Sequence, residues 1–116
     1  MTVNEVYTHL GQKILDAIPI NEVKWEKAVM SIQRLEGYIG TGAKLYTKDK
    51  VIPLDELDAG YFTSKYIHFL YNTMTEEGHH HWNKAEFTLF PDSKFDLQFI
   101  WDQEWQDEVD GYNKNV

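Results

Sequence analysis

The sequence has no cysteine among its 116 residues. This absence excludes a disulfide framework, a zinc site built from thiolates, and catalysis by a cysteine nucleophile. A chain without cysteine is compatible with a reducing compartment such as the cytosol.

Long apolar runs are also missing. No segment approaches the roughly 20 consecutive apolar residues that a helix needs to cross a bilayer. The first twelve residues, MTVNEVYTHLGQ, lack the basic start and apolar stretch of a signal peptide. We therefore expect a soluble cytoplasmic protein without a membrane partner.

Basic residues are in the minority. Eleven Lys and Arg against nineteen Asp and Glu give a net charge of −8. This charge repels phosphate backbones and anionic lipids, so direct binding to nucleic acid is disfavoured. A basic protein partner would instead be attracted and steered toward the chain. Acidity also serves solubility in many cytosolic proteins, so charge alone leaves both readings open.

Apolar residues are plentiful enough for a core, at 42% hydrophobic and 15% aromatic. The length predicts a single domain over residues 1–116. Such a domain can fold without a metal or cofactor, and we expect none.

Two segments have the apolar spacing of an amphipathic helix. In the first, Val6, Leu10 and Ile14 recur every four residues, which predicts a helix over residues 3–18. The same spacing of apolar residues predicts a second helix over residues 62–74.

Alternating apolar and polar residues predict the strands. The predicted strands cover residues 24–36, 43–46, 51–53, 85–89 and 95–101. Residues 24–36 also fit a helix, but the strand is favoured because Gly37, Gly40 and Gly42 follow closely and mark turns or a bulge. The segment Pro91-Asp92-Ser93-Lys94 predicts a type I turn between the last two strands.

The order of these elements predicts an α+β fold. We expect an N-terminal helix and an antiparallel sheet of about four to five strands. A second helix packs on one face of the sheet, and an acidic segment follows as a short helix or an extended tail.

The triplet His79-His80-His81 is the most conspicuous polar feature. Imidazoles bind transition metals, but three adjacent ones cannot all face one ion without an irregular loop. No HExxH spacing accompanies them, no serine lies in a GxSxG elbow, and the glycine-rich segment 37–42 is not a phosphate-binding loop. We expect no catalytic residue, no metal ligand and no enzyme activity.

The segment after the last strand combines five acids and two tryptophans with no basic residue, over residues 100–110. Tryptophan is a favoured interface anchor, and carboxylates pair with Arg or Lys of a partner. Alternatively, the tryptophans hold the segment to the core while the acids stay in water. The predicted partner-binding residues are Trp101, Asp102, Glu104, Trp105, Asp107 and Glu108.

Two stretches resemble the YezG-like immunity (antitoxin) family. The opening of that family is similar to residues 11–19, GQKILDAIP, followed by Trp25-Glu26-Lys27 leading into a strand. The hairpin of the family's shorter members, with the pattern W-N-x-A-x-F-x-L-x-P-D-x-K-F, is similar to residues 82–109. The resemblance implies a cytosolic protein that binds and blocks the toxic C-terminal domain of a secreted or contact-delivered toxin, often a nuclease.

We therefore expect an immunity protein whose partner is a cognate protein toxin with a basic surface. We expect it to be a monomer or a weak homodimer. The alternatives are a small metal-binding protein or enzyme that uses the His79–His81 loop, and a general protein-interaction domain.

Overall fold

The computed structural model describes residues 1–19, 24–35, 38–54, 60–76 and 81–114. Within these residues the chain has the α+β fold predicted from the sequence. In chain order its elements are α1 (Val3–Ala17), β1 (Lys27–Leu35), β2 (Tyr38–Tyr46), β3 (Val51–Pro53), α2 (Gly60–Glu76), β4 (Lys84–Leu89), β5 (Phe95–Ile100) and α3 (Gln103–Lys114). None of the helices in this part of the chain is long and apolar enough to cross a membrane.

The five strands form one antiparallel sheet in the order β3-β2-β1-β4-β5. β1 is the central strand, and it pairs with β2 along its whole length, from Lys27 opposite Tyr46 to Leu35 opposite Tyr38. Its other edge pairs with β4 from Ala28 to Gln33. The prediction of a strand rather than a helix is confirmed for Lys27–Leu35, although the strand begins three residues after the predicted start at residue 24 and residue 36 lies outside the described residues.

The core lies between one face of the sheet and the first two helices. Met30 is flanked on this face by Ala43 of β2 and Phe87 of β4, because residues directly opposite share a face. The fully buried side chains that complete the core from α1 and α2 are Val6, Leu10, Ile14, Ile67 and Leu70. Helical apolar spacing in the sequence therefore corresponds to the buried side of both helices.

The two core helices also contact each other through polar and aromatic groups. His9 of α1 lies 2.9 Å from the hydroxyl of Thr63 of α2, and its ring stacks on Tyr66 with 4.2 Å between the ring centroids. Burial lowers the pKa of His9, and the charge of Lys13 lowers it further. These contacts favour a neutral imidazole between the helices.

β2 begins at Tyr38, five residues before the predicted start at residue 43. The glycines that were expected to mark turns or a bulge, Gly40 and Gly42, instead lie within this strand and pair with Gln33 and Ser31 of β1. Pairing along the central strand therefore overrides the low strand propensity of glycine. A Cβ at Gly40 would lie 2.7 Å from the Tyr38 hydroxyl, so glycine also leaves room for that side chain.

The turn between β4 and β5 begins one residue earlier than predicted. The carbonyl of Phe90 accepts from the amide of Ser93 at 3.0 Å, which places Pro91 at the second turn position, where its fixed φ fits. Ser93 then adopts a positive φ of 71°. The predicted loop at residues 55–60 lies outside the described residues except for Gly60, which starts α2.

Candidate functional site: the C-terminal helix and its anchor

The start of α3 is fixed by a buried asparagine immediately before β4. The side-chain amide of Asn83 accepts from the backbone N–H of Asp102 at 2.8 Å and donates to its carbonyl at 2.9 Å. Asn83 is only 1% exposed, so both bonds are largely shielded from competing water. The chain leaving β5 is therefore held against the start of β4.

Asp102 caps α3 and is held by a lysine. One carboxylate oxygen accepts from the backbone N–H of Trp105 at 3.0 Å, which is the N-cap arrangement. The other lies 2.7 Å from the ammonium group of Lys84. The hydrogen bond from Lys84 lowers the pKa of Asp102, and the bond from the Trp105 amide lowers it further. Asp102 is therefore ionised at neutral pH and stabilises the first turn of α3.

Trp105 packs against its own domain. The ammonium group of Lys84 lies 5.1 Å from the centroid of its indole ring, within the range of a cation–π contact. Trp105 is partly buried, whereas Glu104 beside it is exposed. The alternative in which a tryptophan pins the acidic segment to the domain therefore describes Trp105 correctly.

The remaining acids of the predicted patch point outward together. Glu104, Asp107 and Glu108 are all exposed. Because they are three and four residues apart on a helix, they share one side of α3. We call these three residues the acidic face. The amide group of Gln103 donates to a carboxylate oxygen of Asp107 at 2.8 Å, which orders one edge of this face.

Trp101 precedes α3 and is not part of the acidic face. It is 46% exposed, and its indole N–H donates to the side-chain oxygen of Gln103 at 2.9 Å. It lines a cleft together with Gln106, Val109 and Asp110, which lie on the side of the helix away from the acidic face. The six predicted residues therefore fall into three groups. Asp102 and Trp105 contact their own domain, the three residues of the acidic face are exposed, and Trp101 lines the cleft.

Sequence reasoning missed the other walls of that cleft. Arg34 at the end of β1, Tyr71 of α2 and Trp82 before β4 line it as well. These residues are far apart in the sequence, so no local pattern connects them. The one sequence feature that singles out any of these residues is that Arg34 is the only arginine in the chain.

The histidine triplet is only partly within the described residues, since His79 and His80 fall outside them. His81 lies with its Nδ1 atom 2.8 Å from the hydroxyl of Tyr71. In the part of the chain that the structure describes, no three His, Asp or Glu side chains are grouped closely enough to hold a metal ion.

Fold and site together define an α+β protein with a five-stranded antiparallel sheet and an anchored, acidic C-terminal helix. No family model matches this sequence, and a search of curated proteins found no match. Membership of the YezG-like immunity family stays a prediction.

Proposed function

We propose that this protein is a cytoplasmic immunity protein that binds and neutralises the toxic C-terminal domain of a secreted or contact-delivered bacterial toxin. The observation that carries the proposal is the acidic face of α3. Three exposed carboxylates lie together there on a helix whose first turn is fixed to the domain. The family resemblance of residues 82–109 supports the same function.

The physical basis of inhibition is charge complementarity. A nuclease presents Lys and Arg to its nucleic-acid substrate, and carboxylates of an inhibitor can occupy the same positions as phosphates. A net charge of −8 steers the inhibitor toward such a surface and speeds association at low salt. The proposal therefore includes a toxin domain with a basic surface.

The anchor of α3 contributes to affinity by preorganisation. Because Asn83 and Lys84 hold Asp102, the first turn of the helix that carries the acidic face is fixed before a partner arrives. Binding then loses less conformational entropy than it would with a mobile tail. In this proposal Asp102 and Trp105 support the contact surface, while Glu104, Asp107 and Glu108 form its centre.

The experiment is co-expression of this protein with the toxin domain encoded beside it. We expect restored growth and a complex on gel filtration. The triple variant Glu104→Lys, Asp107→Lys and Glu108→Lys should weaken the complex at least tenfold, since three attractive contacts become repulsive.

A matched control reverses three exposed acids elsewhere, namely Glu26, Asp49 and Asp96. In the sheet register these lie toward the end opposite the strand positions that anchor α3. Both variants have the same net charge, so a selective loss with the α3 variant identifies the acidic face. Absence of rescue and of any complex with the wild-type protein would refute the toxin proposal itself.

A further inference from the structure

A cleft of about 580 Å³ lies where the ends of β1 and β2 meet α2, β4 and α3. We call it the Arg34 cleft. Four of its ten lining residues are aromatic, and one positive and one negative residue also line it. The residues that matter for its chemistry are Arg34, Tyr38, Tyr71, Trp82, Trp101 and Asp110.

Arg34 lines this cleft, and no acceptor for its charge is found among the described residues. Its guanidinium carbon lies 3.5 Å from the centroid of the Tyr71 ring, so one face of the planar group is covered. Its Nε atom is buried and has no hydrogen-bond partner in the part of the chain that the structure describes. No carboxylate of the described residues forms an ion pair with it.

A second residue that lines the cleft also carries a buried donor. Trp82 is only 2% exposed, and no described residue forms a hydrogen bond with its indole Nε1. Buried donors are paired in the great majority of native structures, and exceptions call for a ligand, an ion or a water molecule. Two side chains that line the same cleft therefore carry a buried donor without a partner among the described residues, and this favours an acceptor that binds beside them.

The charge of Arg34 also acts on a neighbour. Burial lowers the pKa of His68, and the positive charge of Arg34 lowers it further. The guanidinium is therefore a source of positive potential within a protein whose net charge is −8. The cleft therefore contains a positive charge, whereas the acidic face on the other side of α3 carries only carboxylates.

We propose that the Arg34 cleft binds a single carboxylate carried on an aromatic body. The guanidinium offers a planar pair of donors that matches a carboxylate, and the aromatic walls suit a flat apolar group. Asp110 and the acidity of the whole protein disfavour ligands with several negative charges. The inference does not depend on the proposed toxin, because it concerns a separate side of α3.

The test uses benzoate as the probe and the fluorescence of the tryptophans that line the cleft as the readout. We expect a saturable change with a 1:1 stoichiometry, and no saturation with benzamide, the neutral analogue of the same shape. Phenyl phosphate serves as the doubly charged comparison and should bind more weakly. Equal binding of benzamide, or tighter binding of phenyl phosphate, would overturn the proposal.

Variants locate the site. Arg34→Gln should weaken benzoate binding at least tenfold, and Arg34→Lys should give an intermediate loss because it keeps the charge without the planar fork. Lys27→Gln is the matched control, since it also removes a cation that lies over a tyrosine ring, Tyr46. It should change the affinity less than twofold.

A further variant keeps the test decisive if Arg34→Gln does not fold. Asp110→Asn removes the negative charge from the cleft, so benzoate should bind a few-fold more tightly. The indole N–H resonances of Trp82 and Trp101 should shift as benzoate is added. Unchanged or weaker affinity in Asp110→Asn, or no shift of either resonance, would contradict binding in this cleft.

Discussion

The side-chain amide of Asn83 bonds both backbone groups of Asp102, a residue 19 positions further along the chain. This contact fixes the backbone at the residue that lies between the end of β5 and the start of α3. Asn83 has one acceptor and two donors on its side chain, and the backbone of one residue presents the complementary pair. The orientation of α3, and with it the acidic face, depends on this buried amide.

Removal of the Asn83 amide should release α3. We expect Asn83→Ala to lower the free energy of unfolding by about 1–3 kcal/mol, because two hydrogen bonds are lost and the groups of Asp102 lose their buried partner. Amide hydrogen exchange in α3 should increase more than in β1 or α2. The control is Asn72→Ala on the exposed side of α2, which should leave stability nearly unchanged. Equal effects of the two variants would show that Asn83 does not anchor the helix.

Acid should weaken the cap of α3 over a defined pH range. Because the folded protein lowers the pKa of Asp102 below its ordinary value of 3.8, the ionised group contributes stability above that value. The contribution is lost as the pH falls through the lower, folded pKa. The thermal midpoint of Asp102→Asn should therefore lie below that of the wild type from pH 5 to 7, and the difference should shrink toward pH 2.5.

The lysine partner provides the control for that titration. Lys84→Gln removes the largest cause of the lowered pKa while leaving the cap oxygen in place. We expect the carboxyl resonance of Asp102 to titrate at a higher pH in this variant than in the wild type. An unchanged titration would mean that the 2.7 Å contact with Lys84 does not persist in solution.

The centre of the core should tolerate truncation poorly. Phe87 is fully buried, and its ring stacks on Phe95 with 5.3 Å between the centroids. Phe87→Ala should lower the free energy of unfolding by about 3–5 kcal/mol, because apolar contacts are lost and a cavity remains. Phe90→Ala, at a residue 37% exposed, should cost roughly 1 kcal/mol or less. Urea denaturation of both variants measures the contrast.

The hairpin turn offers a stabilising substitution. Ser93 has a φ of 71°, a conformation that is unfavourable for residues with a Cβ. We expect Ser93→Gly to raise the free energy of unfolding by about 0.5–1 kcal/mol. Ser93→Ala keeps the Cβ and should give no such gain. A loss of stability with glycine would show that the left-handed conformation is not what limits this turn.

Local patterns were sufficient for α1, α2 and the last hairpin, but they left the acidic segment open between a short helix and an extended tail. Val6, Leu10 and Ile14 recur at the helical period because one side of α1 faces the sheet, and all three are fully buried. The turn chemistry of Pro91 similarly predicts the connection between β4 and β5, although its register differs by one residue. The start of β2 was predicted wrongly because glycine has no side chain to carry an alternating pattern.

For the candidate site, too, one part could be predicted from the sequence and another part could not. The structure makes the acidic segment a helix with Glu104, Asp107 and Glu108 on one side. The sequence predicted the cluster of acids but left a short helix and an extended tail open. It did not indicate that Asp102 and Trp105 would be engaged by Lys84. Whether a carboxylate is free for a partner depends on its neighbours in space.

By itself, the sequence determined the fold class, the apolar sides of the helices and the overall negative charge, since each follows from residue type and short-range period. Only the tertiary structure decided the direction of α3 and the grouping of Arg34 with Tyr71 and Trp82. The reason is that these contacts join residues from separate elements, and sheet pairing brings those elements together. The spacing of residues within one segment does not indicate which other segments it will contact.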